Sequence, residues 1–171
     1  MATVDIISDR SEIERYIPLC RSLAQKSGND LPFQHLRLPL IWWDHFNNTD
    51  ATDFGKKRGY NFIGTQSRLQ KLLLLVSSEG PDIVGTAPVV IYSVRLSGEK
   101  DALKLITFPG DLFIAYHDFN VLPQSRREAI GSFLDAMVRL LDGNGLIMLS
   151  HVPENSPNIR YIRQCMNDLT A

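Results

Sequence analysis

A short apolar run near the middle of the chain constrains the fold more than any other feature. Leu72 to Val76 contains no polar residue, and the turn-forming sequence Ser78-Glu79-Gly80-Pro81-Asp82 follows it closely. Ile83 to Val94 is then rich in β-branched residues. Two such segments joined by a short turn predict a β-hairpin. Because Pro88 has no N–H to donate, we expect it at a bulge or at an unpaired edge position.

The second half of the chain continues with alternating strand and helix patterns. They predict, in order, a strand over Ala102 to Phe108, a strand over Leu112 to Val121, a helix from a capping box at Ser125-Arg126-Arg127-Glu128 to Gly143, a strand over Leu146 to Ser150, and a helix beginning at Ser156-Pro157. A strand-helix-strand passage of this kind predicts a right-handed crossover to a parallel neighbour.

The first half of the chain is predicted to be helical. Capping oxygens in Ser8 to Glu12 precede apolar residues at helical spacing from Ile13 to Ala24. Pro18 removes a backbone donor inside this stretch and predicts a kink or a fresh first turn, and Gly28 is a plausible stop. A short helix follows, with Leu36, Leu40, Trp43 and Phe46 on one face.

A polar segment separates these helices from the hairpin. Asn47 to Gln70 contains three glycines and the basic run Lys56-Lys57-Arg58, and no apolar period survives in it. Loops of this length are usually functional or disordered, so we expect a mobile loop over residues 47–70.

Composition excludes several classes of function. With 18 basic and 19 acidic residues the net charge is −1, so no global field favours nucleic acid or an anionic membrane. Cys20 and Cys165 offer no disulfide framework, which fits a reducing compartment. Met1 to Arg10 shows neither a secretory signal nor a membrane span. We expect one cytoplasmic domain over residues 1–171, without membrane insertion.

Four stretches carry a resemblance to a known family. They are Pro32-Phe33-Gln34 leading to Trp42-Trp43-Asp44-His45-Phe46, then Ile83-Val84-Gly85-Thr86-Ala87-Pro88, then Phe108-Pro109-Gly110 leading to Tyr116-His117-Asp118-Phe119, and finally Val152-Pro153-Glu154-Asn155-Ser156-Pro157. In this order and spacing they resemble the N-terminal half of the CelD-type acetyltransferases. That family is linked to bacterial cellulose and exopolysaccharide synthesis and belongs to the GNAT superfamily, the acyl-CoA N-acyltransferases.

The resemblance implies a fold and a set of partners. The fold is α/β (α+β), with a mixed, mostly antiparallel central sheet and helices on both faces. Members look like tandem proteins, so it implies a second GNAT-like domain or subunit that carries the contacts to acetyl-CoA or another acyl-CoA. The acceptor would be a small molecule or a saccharide. The long loop at 47–70 departs from the family's pattern.

The cofactor loop of that superfamily is missing from this sequence. Its members hold the pyrophosphate of acyl-CoA on backbone N–H groups at a helix N-terminus, in a Gln/Arg-x-x-Gly-x-Gly/Ala turn. The corresponding stretch here, Leu122 to Arg127, contains no glycine. Arg126 and Arg127 either meet a phosphate by charge or form a solvated first turn. Gly143-Asn144-Gly145 follows a helix, so we interpret it as a C-cap.

Tyr116 and Asp118 are the candidate catalytic residues. They lie at a strand end before a helix, where open α/β sheets tend to place ligand groups. Strand alternation predicts that they share one face while His117 points to the other. A tyrosine hydroxyl can protonate a leaving thiolate, and a carboxylate can take a proton from an amine. The alternative is a half-buried tyrosine beside a surface Asp-His pair.

Aromatic and histidine residues give weaker signals. We expect Trp43 to pack in the core, whereas Trp42 either packs or stacks on a sugar ring. With His117 and Asn155, Trp42 is a candidate for the substrate groove. The four histidines are scattered, so no metal site is predicted, and no nucleophile motif is present.

Two hypotheses of function follow. The chain is either the acceptor-side half of an acyl-CoA-dependent N-acyltransferase, completed by a second GNAT half, or a non-catalytic interaction module of the same fold. The second hypothesis predicts no binding of acetyl-CoA at all.

Overall fold

One six-stranded sheet organises the chain, in a computed structural model that describes residues 2–28, 35–47, 66–95, 100–110 and 116–170. The strands are β1 (Thr3–Ile7), β2 (Gln66–Glu79), β3 (Asp82–Arg95), β4 (Leu103–Thr107), β5 (Asn120–Val121) and β6 (Gly145–Met148). Their order is β1-β2-β3-β4-β6, and β5 also pairs with β3. All of these pairings are antiparallel except β4 with β6.

Helices lie on both faces of the sheet. They are α1 (Arg10–Arg15), α2 (Ile17–Ser27), α3 (Arg37–Phe46), α4 (Arg126–Leu141) and α5 (Ile159–Thr170). Asp9 caps α1 by accepting a hydrogen bond from the Glu12 N–H at 2.8 Å. The chain restarts at α2 with Pro18 in its first turn, and Gly28 ends α2 at φ 74°. These predicted features are confirmed.

The hairpin of β2 and β3 is confirmed, and it is longer than predicted. Glu79 pairs with Asp82 at the turn, and pairing continues back to Gln66 opposite Arg95. Residues 66–70 therefore belong to a strand, so the prediction that the loop reaches Gln70 is wrong. Four of these five residues are polar, so no apolar period indicated a strand. Pairing with β3 places them in the sheet. Residues 48–65 of the predicted loop lie outside the described residues.

Pro88 lies at a place where, among the described residues, β3 has no paired residue on one side. On that side β3 pairs with β5 through Gly85 and Thr86, and with β4 from Val90 onward. Pro88 falls between the two pairings and lies opposite Leu74 of β2 on its other side. The predicted unpaired position is confirmed, since a residue without an N–H is tolerated in such a gap.

The apolar run of β2 is buried on both faces of the sheet. Leu73 and Leu75 join a core beneath α4 and α5, together with Ile106 and Phe133. Leu72, Leu74 and Val76 join a second core beneath α1, α2 and α3. A strand covered on both faces needs apolar side chains at every position, which explains why the run shows no alternation. The mostly antiparallel sheet flanked by helices is therefore the expected architecture.

The edge strand β1 is missing from the predicted elements. It pairs with β2 from Thr3 opposite Ser78 to Ile7 opposite Leu74. Its polar residues and short length gave no clear period, which is common for edge strands. The sheet therefore ends in β1 on one side and β6 on the other.

The predicted parallel neighbour of β6 is confirmed, and it is β4. Lys104 to Thr107 of β4 lies alongside Gly145 to Met148 of β6, and α4 connects the two strands by way of β5. At the end of α4, Asp142 and Gly143 have φ values of 53° and 74°, as the predicted C-cap requires. A Cβ built on Gly145 would lie 2.2 Å from the Lys104 carbonyl oxygen, so β6 approaches β4 too closely for a side chain there.

One predicted helix start is confirmed and one is wrong. Helix α4 begins at Arg126 with Ser125 at its N-cap, as predicted, but Ser125 makes no capping hydrogen bond and the 3₁₀ turn Pro123–Ser125 leads into the helix. The last helix begins at Ile159 rather than at Ser156-Pro157, because the Ser156 hydroxyl is engaged by neighbouring groups in a turn. Within the described ranges, no helix combines the length and apolarity that crossing a membrane requires.

Candidate functional site

The segment that carries Tyr116, His117 and Asp118 is not a strand. Only Asn120 and Val121 of the predicted fourth strand pair in the sheet, and residues 111–115 lie outside the described part. Tyr116 is 47% exposed, whereas Asp118 is 2% exposed and His117 is 5% exposed. The prediction that Tyr116 and Asp118 share one face is therefore wrong, because alternation applies only to extended strand geometry.

The Asp118 carboxyl group is held inside the protein by three donors. Its Oδ2 accepts a hydrogen bond from the Ser156 hydroxyl at 2.5 Å. Its Oδ1 accepts from the Asn158 side-chain amide at 2.9 Å and from the Phe119 N–H at 2.8 Å. Buried polar groups are stable only when they are paired in this way. Asp118 therefore fixes local structure and does not present an oxygen to solvent.

Ser156 and Asn158 complete this arrangement from the loop before α5. The Ser156 hydroxyl also accepts from the Asn158 N–H at 2.9 Å, and the Asn158 amide also donates to the Phe119 carbonyl at 2.8 Å. We call Asp118, Ser156 and Asn158 the carboxyl latch. The latch joins the segment 116–119 to the loop that leads into α5. Asn158 lies in the polar sequence Asn155-Ser156-Pro157-Asn158, of which sequence reasoning selected the exposed Asn155 instead.

His117 extends the contact between the same two segments. Its backbone N–H donates to the His151 carbonyl at 3.1 Å. Its ring stacks on Phe108, with centroids 5.1 Å apart and planes 4° apart, and lies 6.5 Å from the His151 ring. His151 is exposed and has a left-handed backbone at φ 59°, which non-glycine residues seldom adopt.

Some side chains of this region are exposed. They include those of Tyr116, His151 and, further along the loop, Asn155. The Ser150 hydroxyl lies 3.2 Å from His151 Nδ1. Tyrosine and histidine are common general acids and bases. His151 was missed at the sequence level, because a lone histidine in a loop gives no spacing signal.

The stretch that corresponds to a cofactor loop is occupied by the protein's own contacts. The Leu122 N–H donates to the Val84 carbonyl at 2.9 Å, and the Ser125 N–H donates to the Leu122 carbonyl at 3.0 Å. Arg126 Nη2 donates to the Ser27 carbonyl at 2.7 Å, at the C-terminal end of α2. The two arginines therefore differ: Arg126 is half-buried and engaged with α2, and Arg127 is exposed.

Trp42 takes the packed one of its two predicted roles, and Trp43 packs less deeply than predicted. Trp42 is 9% exposed in the core beneath α3 and lies 5.7 Å from the Phe46 ring, measured between centroids. Trp43 packs only at the border of that core and lines a surface cleft. The buried stripe of α3 runs through Pro39, Leu40 and Trp42, so the helix turns Trp42 rather than Trp43 toward the core.

Neither thiol is set up as a nucleophile. Burial raises the pKa of Cys20 to about 11, and burial together with the nearby Asp168 carboxylate raises the pKa of Cys165. A thiol with a raised pKa carries little of the reactive thiolate at neutral pH. In the part of the chain that the structure describes, no group of three or more His, Cys, Asp and Glu residues is placed to hold a metal ion.

Comparison with known proteins gives no relative for this arrangement. The chain matches no protein-family profile, no curated protein sequence and no solved structure.

Proposed function

We propose that this chain is a GNAT-like domain that forms the acceptor-side half of an acyl-CoA-dependent N-acyltransferase and does not bind acyl-CoA alone. One observation carries the second part of this proposal. Arg126, at the start of α4, is half-buried, and its Nη2 donates to the Ser27 carbonyl. The helix start that would receive a pyrophosphate group thus lacks a glycine turn, and one of its two cations is already engaged by the protein.

The architecture supports the GNAT-like part of the proposal. The sheet is mostly antiparallel, has helices on both faces, and ends in the parallel pair of β4 and β6. A helix follows a strand at α4, the place where the superfamily holds its cofactor. An acyl-CoA bound to a second GNAT-like half is the expected donor, and Arg127 is the cation available to meet it.

The carboxyl latch assigns different roles to the two candidate catalytic residues. Asp118 acts as a positioning residue, because its oxygens are engaged by Ser156, Asn158 and the Phe119 N–H. Tyr116 adjoins the latched segment and is the exposed acid that can protonate a leaving thiolate. His151 is an exposed base within the same region.

A non-catalytic interaction module is the second candidate function. The burial of Asp118 favours it, since the one carboxylate expected to take a proton from an acceptor amine does not reach solvent. The acyltransferase proposal then depends on Tyr116 and His151.

Calorimetry with acetyl-CoA tests the missing cofactor site. We expect no binding heat from the chain alone, and a micromolar Kd would contradict the proposal. Arg126→Ala serves as a control, because it should not create binding.

A transfer assay separates the two candidate functions. The chain is mixed with the glycine-loop GNAT domain encoded in the same or an adjacent reading frame, and release of free CoA is measured. If this chain is the acceptor-side half, Tyr116→Phe should lower the rate by about 100-fold. A rate that depends neither on this chain nor on Tyr116 would support the non-catalytic module.

A further inference from the structure

A surface cleft lies on the opposite side of the sheet from the carboxyl latch. Its volume is about 230 Å³, and Trp43 and Arg10 form part of its lining. It opens where β1 ends at Ile7, opposite Leu74, while β2 continues beyond that pair. The lining takes residues from α1, α3 and β2, so three elements converge on it.

A β-bulge lies in the part of β2 that lines the cleft. The register of β2 against β3 passes from Leu69 opposite Tyr92 to Lys71 opposite Ile91, which leaves Gln70 as an extra residue. A bulge bends its strand and re-aims side chains, and bulges are frequent beside binding sites. Gln70 and Lys71 are both exposed and both line the cleft.

The cleft combines an aromatic wall with an apolar base. Trp43 is half-buried, so one part of its indole packs on the core and another part faces the opening. Ile13 and Leu72 are buried beneath it. Such a surface receives an apolar face of a ligand, and tryptophan offers a large contact area at little entropic cost.

The polar rim is close to neutral in charge. Arg10 donates from Nε and Nη2 to the two carboxylate oxygens of Asp44, at 3.1 Å and 2.8 Å, and lies 3.3 Å from a Glu14 oxygen. Its charge is therefore balanced and its orientation fixed. Ser8, Gln70 and Lys71 are exposed, and their side chains make no hydrogen bond to another side chain of the described residues.

We propose that this cleft binds the ring of a neutral saccharide. A pyranose ring has an apolar C–H face that suits Trp43 and a rim of hydroxyl groups that suits Ser8, Gln70 and Lys71. A phosphate or carboxylate ligand is less suited, because the Arg10 guanidinium is already paired with two carboxylates and the exposed Lys71 is the one other cation among the described lining residues. The site is separate from the latch and does not depend on acyl transfer.

Saturation-transfer NMR with methyl β-D-glucopyranoside tests this proposal on the whole chain. We expect saturation of the sugar ring protons, and an at least tenfold weaker effect in Trp43→Ala. Gln70→Ala, at an exposed position, should weaken binding severalfold without changing the circular dichroism spectrum. Leu146→Ala is the matched control on the distant strand β6 and should bind as the parent does.

Other probes define the outcomes that overturn the proposal. Inorganic phosphate and acetate are titrated in parallel, with tryptophan fluorescence as the readout. Binding of either anion without binding of the glucoside would show an anion site. An absence of saturation, or equal saturation in the parent and in both Trp43→Ala and Gln70→Ala, would also refute saccharide binding in this cleft.

Discussion

Two regions at opposite sides of the sheet use similar residues in opposite ways. Beside β4 and β6, the buried residues Asp118, Ser156 and Asn158 bond to one another. Beside β1 and β2, Gln70 and Lys71 are exposed around the half-buried Trp43. Polar residues therefore do not mark a site by their presence. What matters is whether the fold has already used their donors and acceptors.

The strand ends explain this difference between the two regions. The parallel pair of β4 and β6 brings the segment 116–119 against the loop before α5, where the buried Asp118 carboxyl group pairs with donors of the protein. The edge strand β1 stops at Ile7 and leaves the bulged part of β2 beyond it. An edge that stops short leaves side chains in contact with solvent.

The largest expected effect is on the carboxyl latch. Asp118→Ala leaves the Ser156 hydroxyl and the Asn158 amide without their acceptor, which should lower the free energy of unfolding by about 4 kcal/mol. Urea denaturation followed by circular dichroism measures the change. The exposed Asp168→Ala is the control, with an expected change within about 0.5 kcal/mol. Equal small losses of stability in both variants would mean that the hydrogen bonds of the carboxyl latch contribute little to the free energy of unfolding.

The two tryptophans give the next largest contrast. Trp42→Ala empties a buried site and should cost about 3 kcal/mol in the free energy of unfolding. Trp43→Ala removes a side chain from the cleft wall and should cost about 1 kcal/mol. Parallel urea denaturation of the two variants checks the order. A larger loss for Trp43 would restore the packing expected from the sequence and would remove the aromatic wall of the cleft.

A substitution of Gly145 tests how closely β6 approaches β4, and a substitution of Gly131 is its control. Gly145→Ala places a Cβ 2.2 Å from the Lys104 carbonyl oxygen and should destabilise the protein by about 2 kcal/mol. Gly131→Ala meets only Cys165 Sγ at 3.8 Å inside α4, and should stabilise the protein by about 0.5 kcal/mol. Thermal denaturation of both variants gives the signs. If Gly145→Ala left the stability of the protein unchanged, β6 would not approach β4 as closely as described.

The smallest expected effect concerns the charge pair beside the cleft. The hydrogen bond from Arg10 holds the pKa of Asp44 below its ordinary value. Because the folded-state pKa is lowered, the pair stabilises the protein above the ordinary aspartate pKa of about 3.9, and this stabilisation is lost as the pH falls through the folded-state pKa.

Asp44→Asn should therefore cost about 0.5 kcal/mol at neutral pH, since the pair is exposed. The cost should vanish in acid, which urea denaturation at neutral and low pH measures. A cost that is unchanged at low pH would mean that the Asp44 charge plays no part.

Much of the fold follows from local sequence patterns. The hairpin, the restart at Pro18 and the C-cap at Gly143 were predicted, because each depends on residues close together in the chain. The parallel pairing of β4 with β6 was predicted from the alternating order of strands and helices. Strand β1 and the first residues of β2 were missed. Their place in the sheet depends on pairing with a distant strand, and their side chains show no apolar period.

The candidate site was less predictable than the fold. The sequence singled out Asp118, but its partner Asn158 is forty residues away, and only the fold brings the two together. The pairing of Arg126 with the Ser27 carbonyl joins positions 99 residues apart. The side of α3 that is buried depends on how α3 lies on the sheet. No local pattern in the sequence therefore indicated that Trp42 is buried more deeply than Trp43.

One NMR titration tests most directly whether the cleft binds a ligand while the region of the carboxyl latch does not. The chain has only two tryptophans, so a ¹H–¹⁵N spectrum shows two indole signals, which Trp42→Phe assigns. We predict that methyl β-D-glucopyranoside shifts the Trp43 indole signal and leaves the Trp42 indole and Phe119 amide signals in place, while acetyl-CoA shifts none of them. Movement of the Phe119 and Arg127 amide signals with acetyl-CoA, and none at Trp43 with the glucoside, would contradict this account.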